Sequence, residues 1–179
     1  ERQDDWSLRL EGFSIRYAQM EPDVVHTVSQ GFLDSIHIPA LFEHMNHVFA
    51  SMHLESRPFF LINGVTEVRG VSRKARKAFV ENILTVHGAY PFQMHLFYGA
   101  ARMLRAATLL SKPFAPYPIR LVSDLESARR VVAEARPGGP ASVFRKRGKR
   151  KAQPPAVEQG ISDLVEEFLR FLGGIRWET

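Results

Sequence analysis

The sequence predicts an α/β domain: an N-terminal β-hairpin, then alternating helix and strand units that form a mainly parallel sheet of about five strands, then a C-terminal amphipathic helix. Three observations predict it. Residues 7–31 alternate apolar and polar side chains in two runs. Residues 38–136 switch between helical spacing of apolar residues and short apolar runs. The connections between these segments are short, which suits right-handed crossovers within one sheet.

The hairpin reads "SLRLEGFSIRYAQ" (7–19) and "VVHTVSQG" (24–31), with "MEPD" (20–23) as its turn, and lies at a sheet edge. In "IPALFEHMNHVFASMH" (38–53), Ile38, Leu41, Phe42, Met45, Val48, Phe49 and Met52 form one helical stripe, and Pro39 suits its first turn. "PFFLINGV" (58–65) is nearly continuous in apolar, β-branched and aromatic residues, as in a strand buried on both faces. A loop over 63–72 then leads to a helix from Ser72 to about His87, with Ala75, Ala78, Phe79, Ile83 and Val86 inward. The Ser72 hydroxyl can accept a bond from a free first-turn amide. "FQMHLFYG" (92–99) is a strand and "AARMLRAATLLS" (100–111) a helix ended by Lys112-Pro113. "PIRLVSD" (118–124) is a strand, and its Ser123 or Asp124 can cap "LESARRVVAEAR" (125–136).

The domain is therefore expected over 1–136. "PGGPASVFRKRGKRKAQPPAVEQG" (137–160) has the composition of a flexible basic Pro/Gly linker. Residues 161–179 hold an amphipathic helix with Ile161, Leu164, Val165, Phe168, Leu169 and Leu172 on one face. Such a helix must dock on something: its own domain, a second copy in a homodimer, or a following domain.

With 179 residues, 45% hydrophobic and 24% charged, the chain can bury a substantial core. It has no cysteine, which removes disulfides, thiolate metal sites and cysteine nucleophiles, and fits a cytoplasmic location. No apolar run is long enough for a transmembrane segment, and the charged N-terminus lacks a signal core. Without an initiator methionine, the chain is read as a processed or excised piece. The net charge is +5, but seven basic residues and no acidic one lie between Arg136 and Lys151, which leaves the rest at −2. The high pI thus belongs to one segment, and no specific nucleic-acid partner is expected. The run "RKRGKRK" (145–151) reads as a solvated tether.

Motifs for catalysis are missing. No glycine-rich phosphate loop, G-x-G-x-x-G, HExxH or G-x-S-x-G occurs. His44 and His47, with Glu43 beside them and His53 beyond, border a polar helix face and read as solvated histidines rather than metal ligands. His95 reads as a core or rim histidine with a hydrogen-bond partner. No carboxylate pair is placed for acid–base work, so no catalytic residue, metal or cofactor is assigned. The unusual stretch is the loop and helix start at 63–77. Arg73, Lys74, Arg76 and Lys77 crowd the N-terminal end of a helix, where cations oppose the helix dipole. A phosphate-like anion or acidic protein surface would offset that, with Asn63, Gly64, Arg69 and Ser72 completing the contact.

The hairpin, the four alternating helices and the phrases "LINGVTEV", "FYGAARMLR" and "PIRLVSDLESARRVVAE" together resemble the STAS-like fold of bacterial anti-sigma-factor antagonists. The chain looks more closely like the STAS-like domains at the N-terminus of sensor histidine kinases and related regulators. The resemblance covers roughly 7–136. Phosphoregulated antagonists carry an acidic residue and two serines in the loop before the helix. Here those positions are Arg69, Gly70 and Val71, with Ser72 where a glycine would stand, so the phosphosite does not carry over. The resemblance implies a non-catalytic regulatory domain of a two-component or similar signalling protein. It would bind a regulatory protein, a downstream signalling domain or a small ligand, and pass that state along the chain through the terminal helix. The alternative is an apolar-ligand or lipid carrier, for which thirteen phenylalanines and five methionines could line a cavity as well as fill a core. A small enzyme is the third reading.

Overall fold

The computed structural model describes residues 6–99 and 117–136. The N-terminal alternation is broken by one more turn than its pattern announces. At Glu11-Gly12 the first run splits into β1 (Ser7–Leu10) and β2 (Phe13–Glu21), so the hairpin is a three-stranded meander with β3 (Val24–Leu33). Gly12 turns the chain with φ +74°, and Gly31, at φ +93°, sits against it: a Cβ there would come 2.1 Å from the Gly12 carbonyl oxygen. The Pro22-Asp23 turn between β2 and β3 falls where the sequence places it.

After β3 come a 3-10 turn (Ser35–His37), α1 (Ile38–Ser51), β4 (Phe59–Val71), α2 (Arg73–Ala89), β5 (Phe92–Tyr98), β6 (Ile119–Val122) and α3 (Leu125–Ala135). The sheet has six strands in the order β1-β2-β3-β4-β5-β6. β1 to β3 pair antiparallel, and β3 to β6 pair parallel. Sequential parallel strands joined by right-handed crossovers place their connecting helices on one face. Accordingly α1 and α2 share one core with the sheet, while α3, which follows the last strand, packs on the opposite face.

β4 lies between these two layers, which explains its apolar run. Phe59 and Leu61 face α1 and α2, Phe60 and Ile62 face α3, and none of the four is more than 3% exposed. Burying each side chain contributes about 1.5–3 kcal/mol. The α1 stripe is buried as its spacing predicts, at Ile38, Leu41, Phe42, Met45, Val48 and Phe49. Phe49 packs its ring against Phe59, Tyr90 and Phe92 at centroid distances of 5.3, 5.2 and 6.1 Å.

Two differences from the sequence reading matter for the site. β4 does not end near Val65 in a loop; it stays extended for 13 residues to Val71. The long β3 supplies its partner throughout, from Val24↔Phe60 to Leu33↔Val71, and two register irregularities absorb the mismatch. At the other end, the chain is closed by Arg136, just beyond α3. Its Nε and Nη2 donate to the two Asp23 carboxylate oxygens at 3.0 and 2.5 Å, and Nη2 also reaches Glu21 at 2.5 Å. Arg136 thus belongs to the folded domain rather than to the basic run after it. The expected helix at 100–111, linker at 137–160 and helix at 161–177 lie outside the described residues.

Candidate functional site

Ser72 begins α2 as its N-cap, with extended backbone and its Oγ accepting from the Ala75 amide at 3.1 Å. The same hydroxyl donates to Asp34 Oδ1 at 2.7 Å, and the Ser72 amide donates to the Leu33 carbonyl at 2.9 Å. The end of β3 and the start of α2 are therefore stitched together. Asp34 also caps the 3-10 turn, where its Oδ1 accepts from the Ser35 amide at 2.6 Å. The bonds from Ser72 and then Ser35 hold the Asp34 carboxyl below its usual pKa.

This arrangement supplies a carboxylate beside the α2 N-terminus that the reading of 63–77 lacked. It also commits the single Ser72 proton. A phosphoryl group on Ser72 would remove the proton given to Asp34 and stand against the Asp34 charge.

Arg73, Lys74 and Lys77 are exposed on the first turns of α2, which contain no acidic residue, and Arg76 is half-buried. Burial and the neighbouring Arg73 charge lower the Arg76 pKa. Lys77 lies 3.9 Å from Glu81, while Arg73 and Lys74 have no ion-pair partner among the described residues. Arg69 is exposed near the end of β4, with Glu67 exposed two residues before it.

The sequence reading overlooked the apolar part of this corner. Phe32 is 44% exposed and Ile36 is 74% exposed, the two exposed large hydrophobics among the described residues. The Phe32 ring lies against Gly70, at 3.0 Å from where a Cβ would be, so it sits across the end of β4. The signal was in "GFLDSIHIP": Asp34-Ser35 ahead of an apolar stripe marks a helix start, and Phe32 and Ile36 flank it.

Asn63 and Gly64 belong elsewhere. Because β4 is extended, Asn63 lies roughly 30 Å along the strand from Ser72. Its side chain is used inside the protein. Oδ1 accepts from the Thr27 hydroxyl and Nδ2 bonds His95 Nε2, forming a polar chain across β3, β4 and β5. Thr27 and His95 are 1% and 2% exposed. Burial lowers the His95 pKa from its ordinary 6.5 to about 3, so the ring is neutral at pH 7. This is the buried, bonded histidine expected in that strand. Gly64 lies under the Tyr98 ring, where a Cβ would approach the hydroxyl to 2.4 Å. The Tyr98 hydroxyl is 2.9 Å from His26 Nε2.

Of the histidines on α1, His47 is exposed, while His44 is half-buried with its ring 5.7 Å from Tyr17. No group of three or more metal-ligating side chains comes together among the described residues. No helix among them is long and apolar enough to cross a membrane. Phe13, Phe42, Phe49, Phe59, Phe60 and Phe92 are all spent on the two cores. The connector residues Ile161, Leu164, Val165, Phe168, Leu169 and Leu172 lie outside the described residues.

By sequence, the chain matches no protein family and no curated protein. By structure it resembles an uncharacterised protein of the DUF3478 family, with a SpoIIAA-like fold, from Shewanella loihica PV-4. The TM-score is 0.53 and the identity 18%, over 69% of this chain and 96% of that one. The anti-sigma factor antagonist SpoIIAA in its unphosphorylated form matches at a TM-score of 0.45 and 10% identity, over 66% of this chain and 96% of that one. Sequential parallel strands behind an N-terminal antiparallel edge, two helices on one face and a last helix on the other give this chain the SpoIIAA-like, STAS-like fold.

Proposed function

We propose that the chain is a non-catalytic regulatory domain of a bacterial signalling protein, such as a sensor histidine kinase, acting in the cytoplasm through protein contact. Its contact surface is the corner of Phe32, Ile36, Arg69, Ser72, Arg73, Lys74, Arg76 and Lys77. The observation that carries this is the exposure of Phe32 and Ile36 on the β3–α1 side of the seam that joins Asp34 to the cation-bearing start of α2. A site for a free anion needs no exposed apolar side chains. A protein partner with an apolar anchor and acidic surroundings uses both. Asp34 already places a carboxylate at the α2 N-terminus, which further favours a protein over a small anion. No cofactor or metal takes part, and residues 161–172 serve as the connector that transmits the bound state, in one chain or between two.

The test compares tagged full-length chain with two variants, Ile36→Asp and the pair Arg73→Glu with Lys74→Glu, expressed in the native cells. Quantitative mass spectrometry should recover one acidic protein with the parent chain and lose it with both variants. An unchanged set of co-purified proteins would overturn the reading.

A further inference from the structure

The corner leaves two large apolar side chains in water beside Arg73 and Lys74, which have no ion-pair partner among the described residues, and the same chain carries a segment of matching chemistry. Residues 161–172, "ISDLVEEFLRFL", place six apolar residues on one face at helical spacing, with Glu166 and Glu167 on its two borders and no cation before Arg170. The apolar residues suit Phe32 and Ile36, and the bordering Glu166 and Glu167 carboxylates suit Arg69, Arg73 and Lys74.

Reach is the remaining requirement. The described chain ends at Arg136, which is tied to Glu21 and Asp23 beside the first residue of β3. The corner lies at the other end of that strand, ten residues away, or ~33 Å. The 24 residues of 137–160 can extend to ~80 Å, more than twice the distance.

We infer that residues 161–172 dock on the Phe32–Ile36 corner of their own domain, as an internal occupant that a partner must displace. This rests on the corner being a protein-contact surface. It adds regulation to that site: the resting chain covers its own contact surface, and partner binding frees the connector.

The chain has no cysteine, so a single nitroxide label can be placed by Ser162→Cys, on the polar side of the segment, with Gln159→Cys as a second position. Amide NMR of the full chain then reads where the label sits, with no partner present. Both labels should cause loss of the Ser35, Ile36, Arg73 and Lys74 peaks while Ser56 and Arg57, at the far end, stay sharp. The loss should disappear with Arg73→Glu and Lys74→Glu. It should return when Glu166→Lys and Glu167→Lys are added. Sharp corner peaks in both labelled chains would overturn the inference. So would peak loss centred elsewhere, or loss that also appears when labelled and isotope-enriched chains are separate molecules, which assigns the occupant to a second copy. Because no partner is added, failure here leaves the partner test above untouched, and the reverse holds.

Discussion

Replacing Asn63 by leucine, which has a similar volume, separates a contact residue from a core residue. Asn63 joins Thr27 and His95, which are 1% and 2% exposed, so neither has water to turn to when the amide is gone. A buried donor or acceptor left without its partner costs about 1–3 kcal/mol, which makes about 2–6 kcal/mol for the two. The leucine methyl groups recover about 1–2 kcal/mol in this mostly apolar layer. The expected net loss is then about 1–4 kcal/mol, a large share of the 5–15 kcal/mol typical of a domain. In urea unfolding at pH 7, followed by far-UV circular dichroism, the midpoint should fall by roughly 0.5–2 M with an unchanged slope. Making all three positions apolar, with Thr27→Val, Asn63→Leu and His95→Leu, should recover more than half of the loss, because no orphaned group then remains. A loss below about 0.5 kcal/mol for the single variant, or a triple variant less stable still, would refute the reasoning and return Asn63 to the surface.

The remaining predictions concern the groups that join distant segments. His95 has a folded pKa of about 3 against an ordinary 6.5, so below 6.5 the unfolded chain takes up a proton that the folded chain refuses. Its stabilising share is complete above pH 6.5 and is lost as the pH falls towards 3, by up to about 5 kcal/mol. His95→Leu should flatten that slope in pH-dependent thermal unfolding, and an unchanged slope would count against a neutral buried ring. Ser72→Ala removes both the α2 cap and the bond to Asp34, and should cost about 1–2 kcal/mol, with Ser72→Thr restoring most of it. The Asp34 carboxyl pKa, read by NMR, should rise with Ser72→Ala; no change would show that the bond to Ser72 does not hold it down. Arg136→Met should cost about 1 kcal/mol, because all three charged groups are roughly a third exposed and water screens them. Amide exchange should quicken in the last turn of α3 and leave β4 unchanged; equal quickening throughout would show the ion pairs to be more than a local tie.

What the sequence discloses here is the local and the periodic. "PFFLINGV" reads as a doubly buried strand because its run is nearly all apolar, and Ser72, with Ser123 or Asp124, reads as a cap because capping is decided within three residues. Asp124 indeed accepts from the Ser127 amide at 2.7 Å. Residues 63–71 misread for the opposite reason. Asn63-Gly64 and Gly70 suggest a loop, but a long parallel neighbour, β3, keeps the chain extended. The turn at Glu11-Gly12 is hidden inside an alternation that continues across it. The joints of the site are non-local: Asp34 and Ser72 are 38 residues apart, Thr27 and Asn63 36, and Arg136 and Asp23 113. No window of sequence contains both members of such a pair. The sequence marks Phe32 and Ile36 only as flanks of a helix start, and it is the packing that leaves them in water.

The central claim is that this corner is where the protein meets its regulatory partner. The most direct measurement places a photoreactive side chain at Ile36 and, as a control, at the exposed Ser56 on the far end of the sheet, in the full chain within its native cells. The account predicts a cross-link from position 36 to one acidic protein, absent from position 56 and abolished by Arg73→Glu with Lys74→Glu. Cross-links of equal yield from both positions, or a position-36 adduct indifferent to those two charges, would contradict it.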